Sequence, residues 1–380
     1  MYSRLLKINP HMNSSAFLFG PRGTGKTAWV KESFKNALYF DLLDDDLYTE
    51  FLARPTRLSE RIPSNFSDWI ILDEVQKIPD ILNEVHRLIE HRKCRFILTG
   101  SSARKLKRKG VNLLAGRALT YHMHPLTAEE LGKDFDLQRA LKFGHLPAAI
   151  HHSDPKKYLS SYVKTYIREE VLQEGIVRNI SLFSRFLETA SFSQGEIINY
   201  AEIAREVATN RHLVSDYFQI LEDLLIASRL PIFSKRAKRD LISHPKFYYF
   251  DVGVYRAIRP RGPLDSIADM EGPALETLFL QEARAINDYY DLGYEFYYWR
   301  TRNQVEVDFV LYGERGLIAF EIKRKSRLNT QDLKGLKVFS EDYPIAKKYI
   351  LYGGTTQYID HDIQVIPFNQ AIKELPLLLS

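Results

Sequence analysis

The chain has 380 residues, of which 45% are hydrophobic and 27% are charged. This composition excludes a largely disordered or fibrous chain and is typical of two or three globular domains. The net charge of +5 permits a polyanionic partner but does not establish one. The single cysteine, Cys94, cannot form an internal disulfide, and no apolar run reaches the roughly 20 residues that span a bilayer. We therefore expect a cytoplasmic protein with no membrane partner.

A glycine-rich segment, GPRGTGKT, runs from Gly20 to Thr27 between an apolar run and a stretch of helical character. An apolar strand, a glycine turn and a helix are the context in which the pattern G-x-x-x-x-G-K-[ST] binds nucleotide phosphates. The loop N–H groups and the helix dipole favour anions, with Lys26 reaching the β- and γ-phosphates and Thr27 ligating Mg²⁺. The expected ATP-binding residues are Gly20, Pro21, Arg22, Gly23, Thr24, Gly25, Lys26, Thr27 and Ala28.

Two carboxylates follow the apolar run of WIILDEVQKIP, at residues 69–79. This is the pattern of a buried parallel strand that presents acids at its C-terminal edge. We expect Asp73 to hold Mg²⁺ and Glu74 to orient the attacking water, because phosphoryl transfer depends on positioning. A later run, RFILTGSS, ends in hydroxyl residues that either sense the γ-phosphate or cap the next helix. These residues are Thr99, Ser101 and Ser102.

The apolar runs alternate with segments of helical periodicity. NALYFDLLDDD, at residues 36–46, predicts another strand. DILNEVHRLIEH places its apolar residues at helical spacing and leaves His86 and His91 on the solvent side. Because alternating strands and helices build a parallel sheet, we predict an α/β fold for this part of the chain.

Five motifs all lie within residues 1–135: GPRGTGKT, ILDEVQKIP, ILTGSSARKL, LLAGR and HPLTAEEL. Together they resemble the prokaryotic ATPases of the AAA superfamily that join an AAA-type module to a winged helix and a C-terminal domain similar to restriction endonucleases. The resemblance implies that Arg117, in LLAGR, is an arginine finger or a sensor. A finger acting in trans would require a homo-oligomer, such as a hexamer. The alternative is an ordinary ion pair between Arg117 and a surface carboxylate.

The resemblance and the local patterns together predict four segments. An AAA-type P-loop ATPase domain is expected at residues 1–135, and a helical lid or connector at 136–190. A winged-helix domain is expected at 191–245, and an α/β restriction-endonuclease-like domain at 246–380.

The predicted winged helix comprises two helices around a tight break, followed by a strand pair that could form a wing. On the first helix we expect Ala201, Ala204 and Val207 to face inward. The exposed residues of the second helix and the basic residues of the wing are the candidate DNA contacts. These are Arg211, His212, Lys235, Arg236, Lys238 and Arg239. Docking of a protein partner is the alternative role of such a domain.

Two further basic runs support a nucleic-acid partner. RKLKRK covers residues 104–109 and KRKSR covers residues 323–327. Clustered charge of this kind is common in proteins that bind the phosphate backbone, although a basic run is also an ordinary solvated surface.

The segment QVEVDFVLYGERGLIAFEIKRK, at residues 304–325, predicts two strands joined by a short turn. Strict alternation places Glu306 and Asp308 on one face, with Val305, Val307 and Phe309 on the other. A turn centred on residues 313–316 places Asp308 opposite a second acid, Glu321. Carboxylates paired in this way are close enough to share one divalent cation.

The order Asp308, spacer, Glu321-x-Lys323 resembles the metal site of the restriction-endonuclease-like superfamily. Lys323 could position water or stabilise developing charge. The resemblance also implies a glutamate from a preceding helix, for which Glu276 is preferred over Glu282. The alternatives are an ordinary salt-bridged hairpin and a nuclease fold with an inactive site.

The combined prediction is an ATPase that uses Mg²⁺ and acts on DNA, with branched or recombining DNA as the expected substrate. The alternative is a nucleotide-controlled switch for signalling or defence. In that case the C-terminal domain is an effector or an inactive protein-docking shell.

Overall fold

The computed structural model describes residues 2–101, 114–167, 171, 177, 179–235, 244–262 and 265–380. The chain divides into two compact units. We call residues 3–124 with 223–226 the N-terminal unit, and residues 1–2, 125–222 and 227–380 the C-terminal unit. Within the described ranges, no helix combines the length and apolar character that crossing a membrane requires.

The N-terminal unit contains a five-stranded sheet in the order β2-β3-β4-β1-β5, and every neighbouring pair is parallel. Its strands are β1 (Ser15–Phe19), β2 (Leu38–Asp41), β3 (Trp69–Asp73), β4 (Arg95–Gly100) and β5 (Ala118–His122). Its helices are α1 (Lys26–Ser33), α2 (Asp45–Ala53), α3 (Arg57–Glu60) and α4 (Ile81–Arg92). Short 3₁₀ turns cover Val75–Lys77 and Leu114–Gly116. The predicted parallel α/β fold is therefore confirmed for this unit.

The burial of the central strands indicates that both faces of this sheet are covered. Every residue of β1 and β3 is buried, as expected for strands with helices on both faces. Helix α4 buries Ile81, Val85 and Leu88, whereas His86 and His91 are exposed, as their spacing predicts. The buried Cys94 joins the same core.

The C-terminal unit combines helices with a six-stranded mixed sheet in the order β12-β13-β11-β10-β9-β8. The sheet strands are β8 (Glu295–Arg300), β9 (Glu306–Gly313), β10 (Gly316–Lys323), β11 (Lys347–Tyr352), β12 (Tyr358–Asp360) and β13 (Ile363–Pro367). A separate antiparallel pair consists of β6 (Ala227–Leu230) and β7 (Lys246–Tyr249).

The helices of this unit lie before, between and after the strands. The first group is α5 (Ala128–Leu131), α6 (Leu137–Phe143), α7 (Pro147–His151), α8 (Pro155–Tyr162) and α9 (Ile180–Ser191). The second group is α10 (Tyr200–Glu206), α11 (Arg211–Asp223), α12 (Val252–Ile258), α13 (Ile267–Tyr289), α14 (Lys334–Asp342), α15 (Phe368–Lys373) and α16 (Leu375–Leu378). A π-helical turn covers Val163–Ile167, and 3₁₀ turns cover Gly132–Asp134 and Thr330–Leu333.

Helices α10 and α11 form the predicted pair around a break, and the β6–β7 pair follows them. Asn210 caps α11, because its side-chain oxygen accepts a hydrogen bond from Leu213 N at 2.9 Å. The prediction that Ala201 faces inward is wrong: Ala201 is exposed, and Ile203 is buried together with Ala204 and Val207. Ile203, Ala204 and Val207 form the buried face of α10, and Ala201 lies outside that face.

The hairpin β9–β10 has the predicted register, since Gly316 pairs with Gly313 and Phe320 with Phe309. The predicted alternation fails at a β-bulge. Pairing of β8 with β9 shifts between Tyr297–Val310 and Trp299–Val307, so β9 contains one extra residue there. Val307 consequently joins the same core cluster as Val310, whereas Phe309 packs against Phe279 of α13.

The segment GHLPAA, which begins at Gly144, forms a buried polar hub of the C-terminal unit. His145 N donates to Asp251 Oδ2 at 2.8 Å, and Asp251 also caps α12 by accepting from Val254 N. His145 Nδ1 lies 3.0 Å from Glu282 Oε1. The Glu282 carboxylate accepts in addition from Ala128 N at 3.0 Å. The hub thus connects the segments around α5 and α6 to helices α12 and α13.

Replacement of Gly144 by alanine tests this hub. Gly144 has φ 63° and ψ −160°, a conformation open almost only to glycine, and an added Cβ would lie 2.2 Å from an Asp251 carboxylate oxygen. We expect Gly144→Ala to lower the free energy of unfolding by about 2–4 kcal/mol in a urea titration. Gly293→Ala is the matched control, because φ is 74° but no atom lies within 4 Å of the added Cβ. Equal losses in the two variants would contradict the role given to Asp251.

Candidate functional site

The glycine loop after β1 is shaped by backbone constraints. Gly23 and Gly25 have φ of 84° and 95°, in the left-handed region that favours glycine. A Cβ on Gly20 would lie 2.3 Å from Met123 O, so the loop passes directly against the chain that follows β5. These constraints place the loop N–H groups at the start of α1, as an anion site requires.

The side chain of Lys26 is held inside this loop. Its Nζ donates to Gly20 O at 2.7 Å and to Pro21 O at 3.2 Å, and the side chain is buried. The ammonium therefore lies at the mouth of the loop rather than in bulk solvent.

The carboxylate of Asp73, at the end of β3, accepts hydrogen bonds from three hydroxyl groups. Oδ2 accepts from Thr27 Oγ1 at 2.8 Å and from Tyr39 Oη at 2.5 Å. Oδ1 accepts from Thr99 Oγ1. Burial raises the pKa of the Tyr39 phenol, and the adjacent Asp73 raises it further, so the phenol remains a donor. Helix α1 and strands β2, β3 and β4 thus meet at one carboxylate.

Glu74 adopts the left-handed conformation, with φ 61°, at the turn after β3. Its N–H donates to Thr99 Oγ1 at 3.2 Å, and its carboxylate accepts from Gln76 Nε2. Gln76 also donates to Ser101 Oγ at 3.0 Å. Of the three hydroxyl residues after β4, Thr99 contacts the Asp73 carboxylate, Ser101 contacts Gln76, and Ser102 lies outside the described residues.

Three contributors to this site were given no role from the sequence, although Tyr39 and Gln76 lie inside the quoted segments. Tyr39 and Gln76 hold the two acids, and Arg4 braces the loop by donating to Thr24 O at 2.7 Å and to His124 O at 2.6 Å. Apart from the bond between Gln76 and Glu74, their contacts join residues far apart in the chain. Only the position of Tyr39, two residues before the end of β2, gives a sequence signal, because parallel strands present their C-terminal ends at one edge.

Arg117 lies at the other end of the sheet. Its carbonyl accepts from Ser15 N at the start of β1, whereas the glycine loop follows the end of β1. Its guanidinium forms an ion pair with the carboxylate of Glu90 on α4. The structure thus places Arg117 in a surface ion pair and away from the loop of its own chain.

A second cluster of charges lies in the C-terminal unit. Lys246 Nζ, on β7, contacts Glu306 and lies 3.8 Å from Asp308 Oδ1 and 4.0 Å from Glu276 Oε2. Arg300 Nη1 also contacts Glu306, at 2.9 Å. The predicted acids Asp308 and Glu276 are therefore brought together, around a lysine that sequence patterns did not single out.

The remaining predicted members lie on β10. Glu321 Oε1 is 2.5 Å from Lys323 Nζ, while the buried Glu321 Oε2 has no hydrogen-bond partner. Asp308 Oδ2 accepts from Ile322 N at 2.8 Å, so the bulge in β9 turns the Asp308 side chain towards β10. Glu282 is not part of this cluster, because its carboxylate belongs to the His145 hub.

Burial dominates the titration of this cluster. Burial, together with the neighbouring Asp308, raises the pKa of Glu276 and of Glu321 to about 8, against the lowering effect of the nearby lysines. Burial also lowers the pKa of Lys246, but the carboxylates of Glu276, Asp308 and Glu306 outweigh it, so that the lysine pKa is raised. Lys246 is therefore a charged ammonium inside the cluster.

The two sites differ in how well they suit a metal ion. Thr27 and Asp73 supply a hydroxyl and a carboxylate beside the loop, which suits Mg²⁺. In the C-terminal cluster an ammonium already lies within 4.0 Å of three carboxylates. Over the described part of the chain, no group of three or more His, Cys, Asp or Glu residues has a geometry that could hold a metal ion. The cluster does not fit a divalent cation in this arrangement.

The candidate DNA contacts are partly described. Arg211 and His212 are exposed at the start of α11. Lys235 is exposed and forms an ion pair with Glu295 at 2.9 Å. Arg236, Lys238 and Arg239 lie outside the described residues, as does the basic run at 104–109.

Family models match three consecutive parts of the chain. Residues 13–132 match a model described as an AAA domain. Residues 134–265 and 271–371 match two models that are each described as a domain of unknown function, DUF8612 and DUF4143. The AAA match and the parallel sheet together support a P-loop ATPase domain, and this class of domain binds nucleotide, usually with Mg²⁺. The resemblance to AAA ATPases is thereby confirmed for the first part of the chain.

The chain is similar along most of its length to proteins described only as uncharacterized. One from Mycobacterium tuberculosis is 26% identical over 376 residues, covering 95% of this chain and 82% of the relative. Another, from Methanocaldococcus jannaschii, is 23% identical over 412 residues, covering 96% of this chain and 90% of the relative. The two units thus occur together in these relatives.

Two solved structures show weak overall similarity. The Aeropyrum pernix ORC1 protein in complex with DNA has a TM-score of 0.26 and 16% identity, covering 64% of this chain and 86% of that one. Protein VC1899 from Vibrio cholerae has a TM-score of 0.24 and 12% identity, covering 96% and 97%. Scores this low carry no argument about the fold or function of this chain.

Replacement of Tyr39 by phenylalanine tests whether the Tyr39 hydroxyl orients the Asp73 carboxylate. The change removes one of three donors to Asp73 and leaves the ring in place. Because outer-shell partners orient the groups that hold a metal, we expect the Mg²⁺ concentration for half-maximal ATP hydrolysis to rise roughly tenfold. Tyr48→Phe is the control, since Tyr48 packs on the core of the same unit. An unchanged Mg²⁺ requirement in Tyr39→Phe would refute this role.

The pKa of Glu321 predicts a pH-dependent stability. Its carboxyl group titrates near 4.5 when unfolded and near 8 when folded, so the folded state holds a proton that the unfolded state releases between these values. The stability of the wild type should therefore fall as the pH rises from 5 to 8.

Glu321→Gln removes the ionisable group and with it this loss of stability at higher pH. In metal-free buffer we expect its stability relative to wild type to increase by about 1–3 kcal/mol between pH 5 and pH 8, measured from urea unfolding midpoints. Glu314→Gln, an exposed change at the turn of the same hairpin, should show no such trend. Parallel pH profiles for wild type and Glu321→Gln would rule out the raised pKa.

Proposed function

We propose that this chain is a Mg²⁺-dependent ATPase that couples hydrolysis in the N-terminal unit to work on DNA. The observation that best supports the ATPase is the convergence of Thr27 and Thr99 on the carboxylate of Asp73. This convergence links the glycine loop, the acidic end of β3 and the end of β4 at one edge of a parallel sheet. Open α/β sheets bind their ligands at this edge.

The roles we propose follow from that geometry. Lys26 leaves the carbonyls of Gly20 and Pro21 to bind the β- and γ-phosphates. Thr27 and Asp73 hold Mg²⁺, which when bound neutralises charge on the phosphate oxygens. Glu74 orients the attacking water, and Gln76 fixes the Glu74 carboxylate.

Arg117 can take part only in trans, because in its own chain it lies at the opposite end of the sheet. An arginine finger would therefore require a homo-oligomer, such as a hexamer. In that assembly Arg117 would exchange its ion pair with Glu90 for the phosphates bound to a neighbouring chain.

The proposal for DNA rests on exposed basic residues. Arg211 and His212 are exposed at the N-terminal end of α11, where a recognition helix meets base edges. Arg324, Lys325 and Arg327 are also exposed, directly after β10. We propose that these residues bind the phosphate backbone, with branched DNA as the preferred substrate.

A nucleotide-controlled switch is the second candidate. It is favoured by the ion pairs of the C-terminal cluster, because Lys246 and Arg300 already pair with Glu306, and Lys323 pairs with Glu321. A nuclease-like shell of this kind would dock proteins rather than cut DNA. A switch would also hold nucleotide tightly and turn it over slowly whether or not DNA is present.

Replacement of Lys26 by alanine tests the ATPase itself. The change removes the charge expected on the phosphates, and we expect the hydrolysis rate to fall by at least about a hundredfold. Lys35→Ala is the matched control, because Lys35 is an exposed lysine just beyond the end of α1. The circular dichroism of both variants should match the wild type. Normal turnover in Lys26→Ala would exclude the proposed ATPase site.

A further inference from the structure

Lys246 occupies an unusual position for a lysine. Its side chain is only 3% exposed, and its ammonium lies within 4.0 Å of carboxylates from Glu276, Glu306 and Asp308. These carboxylates come from helix α13 and from the start of β9. Buried charges persist only when they are paired, so the lysine and the acids depend on each other.

The fold fixes where this ammonium lies. Lys246 begins β7, pairs with Leu230 of β6 and forms a bridge with Ile197 on its other side. The ring of Tyr298 lies 5.7 Å from the ammonium and closes the site from β8. Tyr248, two residues further along β7, donates to Glu276 Oε2 at 2.7 Å. One short strand thus supplies both the cation and a donor for the acid that faces it.

Two of these carboxylates, those of Asp308 and Glu276, are also candidate ligands for a divalent cation, together with Glu321. A cation bound by Asp308 and Glu276 would lie about 2.0–2.6 Å from their oxygens, within a few ångströms of the Lys246 ammonium. Two cations that close in a buried site repel each other strongly. The buried Glu321 Oε2 has no hydrogen-bond partner. This oxygen could therefore bind a cation that the lysines and arginine of the cluster do not replace.

We propose that Lys246 is the resident cation of this cluster and that its ammonium prevents a divalent cation from binding to Asp308, Glu276 and Glu321. Removal of the ammonium converts the cluster into a metal site. This inference rests on the proposed function, because it concerns the nuclease-like site of the C-terminal unit. It would explain an inactive nuclease-like site, because such a site would bind no divalent cation.

Binding of Mn²⁺ to the full chain tests the proposal. Free Mn²⁺ is measured by electron paramagnetic resonance, without nucleotide, for wild type, Lys246→Met and Lys246→Met with Asp308→Asn. We expect Lys246→Met to gain one site that binds Mn²⁺ at least about tenfold more tightly than any wild-type site, and the double variant to lose it. Lys348→Met is the matched control, because Lys348 is a buried lysine paired with Asp362 outside the cluster. It should gain no site.

A second variant keeps the test decisive if Lys246→Met does not fold. Lys246→Gln removes the charge but keeps a donor for Glu306, and near-ultraviolet circular dichroism reports its folding with and without Mn²⁺. Folding that depends on Mn²⁺ in either variant would support the proposal. Failure of both variants to fold even with Mn²⁺ would overturn it, because a divalent cation would then be unable to replace the ammonium.

Two other results would also overturn the proposal. One is Mn²⁺ binding by the wild type that Asp308→Asn abolishes. The other is folded Lys246→Met or Lys246→Gln protein that binds Mn²⁺ no better than the wild type. ATP hydrolysis by the wild-type sample is measured separately, so that loss of the proposed ATPase and loss of this inference are distinguished.

Discussion

The carboxylate of Asp73 is the group on which the proposed nucleotide site depends. It is almost fully buried, and burial of an unpaired carboxylate would cost several kcal/mol. The hydroxyls of Thr27, Tyr39 and Thr99 offset that cost, since hydrogen bonds to charged groups contribute about 1.5–3 kcal/mol each. Because the donors come from α1, β2 and β4, a single acid joins these elements at the C-terminal edge of the sheet.

In the C-terminal cluster the buried carboxylates are paired with basic side chains rather than with hydroxyl groups. Its acids are compensated by cations of the protein itself, Lys246, Arg300 and Lys323. Such pairs rarely add stability over apolar packing, but loss of one partner is costly. The pKa values of Glu276 and Glu321 remain raised, because the nearby lysines offset only part of the cost of burying these carboxylates. A site of this kind is stable only while its own cations stay in place.

The sequence predicted contacts that are local in the chain or follow from strand periodicity. The glycine loop, the acids after β3 and the β9–β10 register belong to this class, because each depends on neighbouring residues or on one tight turn. Lys246 and Tyr39 were missed because their roles arise only when distant elements meet, and the contact of Gln76 with Ser101 likewise requires β4 to lie beside β3. The bulge in β9 also had no sequence signal, and it reversed the side on which Phe309 packs.

Steady-state ATP hydrolysis by the purified full chain distinguishes coupling to DNA from a nucleotide-controlled switch. It compares no DNA, single strand, linear duplex and a four-way junction, at low and at moderate salt. We expect Mg²⁺-dependent turnover that one DNA structure stimulates above the others, with stimulation declining as salt screens the phosphate contacts. Turnover that no DNA structure changes at either salt concentration would contradict coupling to DNA and favour the nucleotide-controlled switch.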